Sequence, residues 1–186
     1  MARKRPKAAE KSHLDIIPLG WVDTLTVSVV AANLQTLMGL DAAIMPALPD
    51  PEYAYLPLRS QYGAGKILKT LESLSDGAKF KLGIVECDLC TPILKFVFGE
   101  SQLGGKAAVV SLHRLRDKDP AQMYLRAAKV GLHETGHLLG IGHCRTPDCL
   151  MAFSSSLEKL DGQPLRFCPS CGYEISRSLN SIFGDA

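Results

Sequence analysis

The chain has 186 residues, enough to bury a sizeable core and about the usual size of one domain. An apolar share of 46% and a charged share of 22% are ordinary for a soluble globular protein and exclude a low-complexity chain. A net charge of +2 argues for no particular partner, Arg145, Lys159 and Arg166 are too sparse around Cys144–Cys171 for nucleic-acid binding, and no apolar run is long enough to span a bilayer.

Residues 1–13 hold the basic run Arg3-Lys4-Arg5-Pro6-Lys7 and read as a disordered, solvated tail, with His13 at its end. Asp15 and Pro18 interrupt the first apolar segment, so a signal-peptide core is not expected and the location reads as cytoplasmic. Leu14 to Leu19 is the first expected strand. Asp23 can cap a helix with apolar positions at Val27, Val30, Ala31, Leu34 and Leu37. Asp41 to Ala47 reads as a second strand, and the proline-bearing stretch Pro46 to Pro57 as a loop. Ile67, Leu68, Leu71 and Leu74 fall at helical spacing, with Asp76-Gly77 ending that helix. Three further strands are expected around Phe80–Val85, Ile93–Phe98 and Ala107–Leu112, punctuated by Gly99 and Gly104-Gly105. Asp119 and Pro120 then open a long helix as N-cap and first residue. Gly131 and Gly136 inside it each cost about 1 kcal/mol relative to alanine, which packing and metal bonds must offset.

That helix carries the chemistry. His133 and His137 are four residues apart, so they leave one helical face one turn apart and can share one Zn²⁺. Glu134 stands beside rather than on the metal, where a general base takes a proton from an activated water. Gly140 ends the helix in a left-handed turn that sends the chain back and lets His143 act as third ligand. Three protein ligands leave one coordination position open, which is the catalytic arrangement. The pentapeptide alone also occurs on ordinary solvated helices; the extension to His143 is what a structural helix would not need.

Cys144 and Cys149 are separated by four residues, and Cys168 and Cys171 by two, each gap holding a proline and reading as a tight turn. Both spacings suit thiolate pairs on one closed, structural zinc. Two disulfides are the alternative, and a reducing cytosol favours the metal. The expectation is two zinc ions per chain, one catalytic and one structural. Cys87-Asp-Leu-Cys90 joins two expected strands and stands apart from any other pair, so its thiols read as incidental, a disulfide or redox pair being the other reading. His113 reads as a surface or supporting residue.

The run from His133 to Met151, followed by Cys168 and Cys171, resembles the archaemetzincins, a branch of the metzincin zinc metallopeptidases. Asn33 to Leu37, Ser60-Gln61-Tyr62 and Phe96-Val97-Phe98-Gly99-Glu100 extend the likeness more weakly, so it covers the chain from about residue 15. The resemblance implies a compact single-domain α/β fold of metzincin type, with a mixed twisted sheet and an active-site helix. It implies one metalloprotease domain, 14–186, with an N-terminal part (14–140) and a zinc-stabilised C-terminal part (141–186). Met151 stands where the family places a methionine under the zinc. The resemblance also implies an edge strand at Ile93–Gly99, with peptide or protein substrate bound near Lys95–Gly99 by strand addition. Cleavage of peptide bonds, with aminopeptidase action on short peptides, is the activity the family suggests for a monomer. A zinc-stabilised binding module with an inactive site is the alternative.

Overall fold

The computed structural model describes residues 12–184; the basic run and most of the expected tail lie outside the described residues. In chain order the elements begin with β1 (Leu14–Leu19), α1 (Thr24–Met38), β2 (Ala42–Ile44), β3 (Tyr55–Leu56), β4 (Gln61–Gly63) and α2 (Ala64–Ser73). There follow β5 (Phe80–Val85), β6 (Leu89–Cys90), β7 (Gly99–Ser101), β8 (Ala107–Ser111), α3 (Pro120–Leu138), α4 (Leu157–Gly162) and α5 (Pro169–Phe183). Five strands form one mixed sheet in the order β2-β1-β5-β8-β7. All its pairings are parallel except β7 against β8, which leaves β7 as an antiparallel edge. β3, β4 and β6 form a small second sheet.

Every residue of β1, β5 and β8 is buried, as expected of parallel strands covered on both faces. Period-two alternation sorts their side chains between two cores. Leu14, Ile16, Leu82, Ile84, Ala108 and Val110 meet α1, α3 and α5. Ile17, Leu19, Val85, Ala107 and Val109 meet Ile67, Leu68 and Leu71 of α2. Asp15 and Lys81 stand opposite each other on β1 and β5 and close a buried ion pair of 2.7 Å.

Asp23 caps α1 as expected, accepting from the Leu25 and Thr26 amides. The apolar stripe of α1 closes on Met38 rather than Leu37, which is exposed. His13 belongs to the fold rather than to a tail: its ring stacks on Phe183 at 4.1 Å and its Nδ1 accepts from the Asp41 amide. The second strand is shorter than expected, and the proline-bearing loop holds a 3-10 turn, Glu52–Ala54, and β3. The helix through Ile67 stops at Ser73, before Asp76-Gly77.

The strand expected at Ile93–Phe98 does not form. Regular pairing begins at Gly99, and Ile93 is 93% exposed. Residues 91–98 are a loop held by side chains. The Arg59 guanidinium donates to the carbonyls of Thr91, Leu94 and Lys95, and Gln61 donates to Lys95 and Asp88. Arg114 clasps Asp88 through two hydrogen bonds of 2.7 and 2.8 Å, and its guanidinium lies 4.2 Å from the Phe96 ring centre. The Cys168–Cys171 segment is the start of α5 rather than a turn, with Cys168 at the N-cap and Pro169 at the first position.

Candidate metal centre and substrate cleft

Asp119 accepts from the Ala121 amide and fixes the start of α3, and Pro120 supplies the preset backbone angle of a first helical residue. The two interior glycines are places of close approach. A β-carbon at Gly131 would lie 2.8 Å from Val30 on α1, and one at Gly136 would lie 2.5 Å from the sulfur of Met151. Gly136 faces the histidine turn of the helix, so its missing side chain is the slot into which Met151 packs. The chain leaves α3 at Gly140, where φ is +86°, and the Gly140 and Ile141 amides donate to the His137 and Gly136 carbonyls.

That turn brings the three histidines together. Their ring centres are 4.6 Å (His133 to His137), 5.3 Å (His133 to His143) and 4.8 Å (His137 to His143) apart, and one nitrogen of each lies within 4.8 Å of the others. His133 Nδ1 is 2.8 Å from the Leu150 carbonyl and His137 Nδ1 is 2.7 Å from the Ile141 carbonyl. A carbonyl oxygen only accepts, so both Nδ1 atoms carry the proton and both Nε2 atoms keep a bare lone pair. Those two Nε2 atoms are 3.1 Å apart. Burial draws His133 down to about 4 and lowers His137 and His143, which favours the neutral rings that bind a metal. Two converging lone pairs with their outer nitrogens tied to carbonyls are a donor set that fits a cation such as zinc.

Glu134 projects from the same turn toward β7. Strand alternation puts Gly99 and Ser101 on one face, and both meet the carboxylate. Ser101 Oγ donates to Glu134 Oε2 at 2.6 Å, and a β-carbon at Gly99 would lie 2.6 Å from Glu134 Cγ. Burial pushes the Glu134 carboxyl up to about 8, with the Ser101 hydrogen bond acting against it; a nearby divalent cation acts in the same downward direction. Nothing local in the sequence marks Ser101. Its role comes from a hydrogen bond across 33 residues.

The cleft in front of these groups measures ≈ 520 Å³ and runs between the 94–101 segment and the chain from His143 to Gln163. Phe96, Phe98, Leu103 and Phe153 give it apolar walls, and His133, Glu134, His137 and His143 line its floor.

The four expected cysteines also come together, with their sulfurs all within 4.8 Å and Cys144 to Cys168 at 3.9 Å. A disulfide is about 2.05 Å, whereas thiolates on one tetrahedral zinc stand roughly 3.8 Å apart. All six cysteines are free. Backbone amides of Thr146 and Cys168 donate to the sulfurs of Cys144 and Cys149, and the first of these contacts draws Cys144 down to about 7. Burial raises Cys149 and Cys171, which is the cost a metal ion would offset. Cys87 lies outside this set, and burial pushes its thiol up to about 12, so it is no nucleophile at neutral pH. His113 is not in the histidine cluster.

The two clusters meet in the backbone. The Cys144 amide donates to the Met151 carbonyl, and the Leu150 amide donates to Arg166 while the Leu150 carbonyl holds His133. Cys149, Leu150 and Met151 are consecutive, and each serves a different part of the centre.

A mixed sheet whose antiparallel edge borders histidines on a helix, with a methionine packed beneath them, defines a class, the metzincin zinc metallopeptidases. A profile of Peptidase family M54 matches residues 34–177. Archaemetzincin from Methanopyrus kandleri is 42% identical over 129 residues, 69% of this chain and 74% of that one. The crystal structure of the archaemetzincin from the same organism matches with a TM-score of 0.80 at 34% identity, covering 90% of this chain and 96% of that one. The archaemetzincin from Archaeoglobus fulgidus, solved complexed with malonate, matches at 0.78 and 33% identity over 87% and 99%. The chain belongs to Peptidase family M54, the archaemetzincins, and is a zinc metallopeptidase. Among the described residues no helix is long and apolar enough to cross a membrane.

Proposed function

We propose that the chain hydrolyses peptide bonds at the histidine cluster, with Glu134 as general base. The observation that carries this is the placement of a buried carboxylate, fixed by Ser101, at the floor of a cleft beside converging imidazole lone pairs. His133, His137 and His143 would hold one zinc ion, and Cys144, Cys149, Cys168 and Cys171 a second. When bound, the first supplies the positive charge that acidifies a water molecule and polarises the substrate carbonyl.

The chain's own groups do the rest. Glu134 accepts the proton from the attacking water and passes it to the leaving amine. The Leu150 and Ile141 carbonyls keep the two helix histidines in the tautomer that presents Nε2. β7, paired on one side only, offers its free edge to an extended substrate, and the apolar walls exclude water. Holding the second zinc, the four cysteines would clamp the turn that delivers His143. Free thiols as metal ligands suit a reducing compartment such as the cytoplasm.

The preferred activity is aminopeptidase action on short peptides. Glu134→Gln is expected to lower turnover of a peptide library by at least about 10²-fold while zinc content stays at two per chain. Normal hydrolysis by that variant would end the assignment. Product analysis by mass spectrometry decides between removal of a terminal residue and internal cleavage.

A further inference from the structure

One turn before His133 on α3 stands a charge that neither zinc cluster uses. Lys129 is 2% exposed and yet lines the substrate cleft. Its ammonium donates to the Leu160 carbonyl at 2.8 Å and the Asp161 carbonyl at 3.0 Å, at the end of α4. No carboxylate lies within 4.0 Å of it among the described residues. The nearby Asp161 carboxylate is already engaged, by Arg126 through two 2.7 Å hydrogen bonds and by Gln122 through a third. An ammonium has three donors, and two are used. Lysine is almost never fully buried without a counter-ion, because a desolvated charge is costly unless paired.

A second polar group in the same cleft lacks a partner. Ser154 Oγ is buried and makes no hydrogen bond among the described residues. A hydroxyl left alone in that way costs roughly 1–3 kcal/mol. Phe96, Phe98 and Leu160 line the same cleft and lower its local dielectric, so a polar ligand there is held more strongly than it would be in water.

We infer that Lys129 and Ser154 form a receptor for a substrate carboxylate, close beside the scissile bond. The inference rests on the peptidase reading of the cleft. A carboxylate is acceptor-only, so one oxygen takes the third ammonium proton and the other takes the serine hydroxyl. Four helical residues are about 6 Å of rise, which places the carboxylate within one or two residues of the bond at the histidine cluster. The carboxylate comes either from an aspartate or glutamate side chain or from the C-terminus of a short peptide. Lysine and arginine are disfavoured at that position by like charge.

The experiment measures binding by calorimetry, with zinc-loaded E134Q as an uncleaving receptor. One series consists of amidated pentapeptides with Glu or Gln at each position in turn; the other of di- to pentapeptides ending in a free acid or an amide. At least ten-fold tighter binding of Glu over Gln at one position identifies a side chain as the source. The same preference for acid over amide in the shortest peptides identifies the chain terminus. In K129M the ratio falls to within two-fold of unity, and in S154A it falls several-fold. Absence of a carboxylate preference in both series overturns the inference, as does a K129M protein that keeps the ten-fold ratio. If K129M does not fold, S154A decides, and an unchanged ratio there overturns the inference. Failure of the peptidase reading is a separate result, because it appears as wild-type cleavage rates in E134Q.

Discussion

The histidine and cysteine clusters lie side by side in the chain yet are built on opposite principles. The histidines are held from behind: Nδ1 of two rings donates to a carbonyl, and the free nitrogens converge on the floor of a ≈ 520 Å³ cleft. The sulfurs converge on one another. They accept from backbone amides and pack among Ile141, Phe167 and Met151, with Cys149 and Cys171 buried. A ligand set braced from outside leaves room for a substrate, and one closed upon itself leaves room only for its ion. Dependence between them is expected to run one way. Leu150 and Cys144, which shape the histidine site, are fixed by the cysteine side.

Four experiments press on that asymmetry. Cys171→Ser removes one thiolate of the proposed structural zinc site, and a structural zinc contributes on the order of 10 kcal/mol to folding in small zinc domains. The variant is expected to lose both zinc ions, read by metal analysis and by its melting curve, whereas His143→Ala keeps the cysteine zinc. Full affinity for the histidine zinc in Cys171→Ser would break the one-way dependence. Chelator treatment comes next. Activity and one zinc should leave early, and the second zinc only with loss of near-UV circular dichroism; simultaneous release would make the clusters equivalent.

Gly136→Ala gains about 1 kcal/mol in helix propensity and meets Met151 at 2.5 Å, an overpacking cost of about 1–3 kcal/mol. The net loss should appear in zinc affinity as well as melting. Gly131→Ala, against Val30, should lower melting alone. Ser101→Ala is the mildest. It frees the Glu134 carboxylate, and kcat should fall several-fold at nearly constant KM, with Ser101→Thr restoring most of it. A loss confined to KM would place Ser101 in substrate binding instead.

Much of this design is legible along the chain. β1, β5 and β8 are mainly apolar runs, broken by Asp15, Lys81 and Ser111, α1 and α3 start at aspartate caps, and each ligand pair follows a local spacing rule. What escapes the sequence is built at long range. Residues 91–98 carry strand-like apolar character, but Arg59 and Gln61, some 35 residues earlier, take up the backbone carbonyls of Leu94 and Lys95. The short strands β4 and β6 exist because they pair with each other, and two or three residues cannot signal that alone. α5 is a different case. Pro169 at its first position and the row of buried Ile175 with partly buried Leu179 and Ile182 are helix signals present in the sequence.

The three-residue interval from Cys149 to Met151 has a consequence for how the chain can vary. A sulfur, a carbonyl on His133 and a methionine under Gly136 are delivered by successive residues, so an inserted or deleted residue there displaces all three together. Of the flanking stretches, 145–148 carries the Thr146 amide that holds the Cys144 sulfur and 153–156 carries the cleft-lining Phe153 and Ser154, so each serves one site rather than both. Relatives that differ in the size of this region should therefore differ outside 149–151, and that interval should act as the fixed ruler against which both sites are spaced.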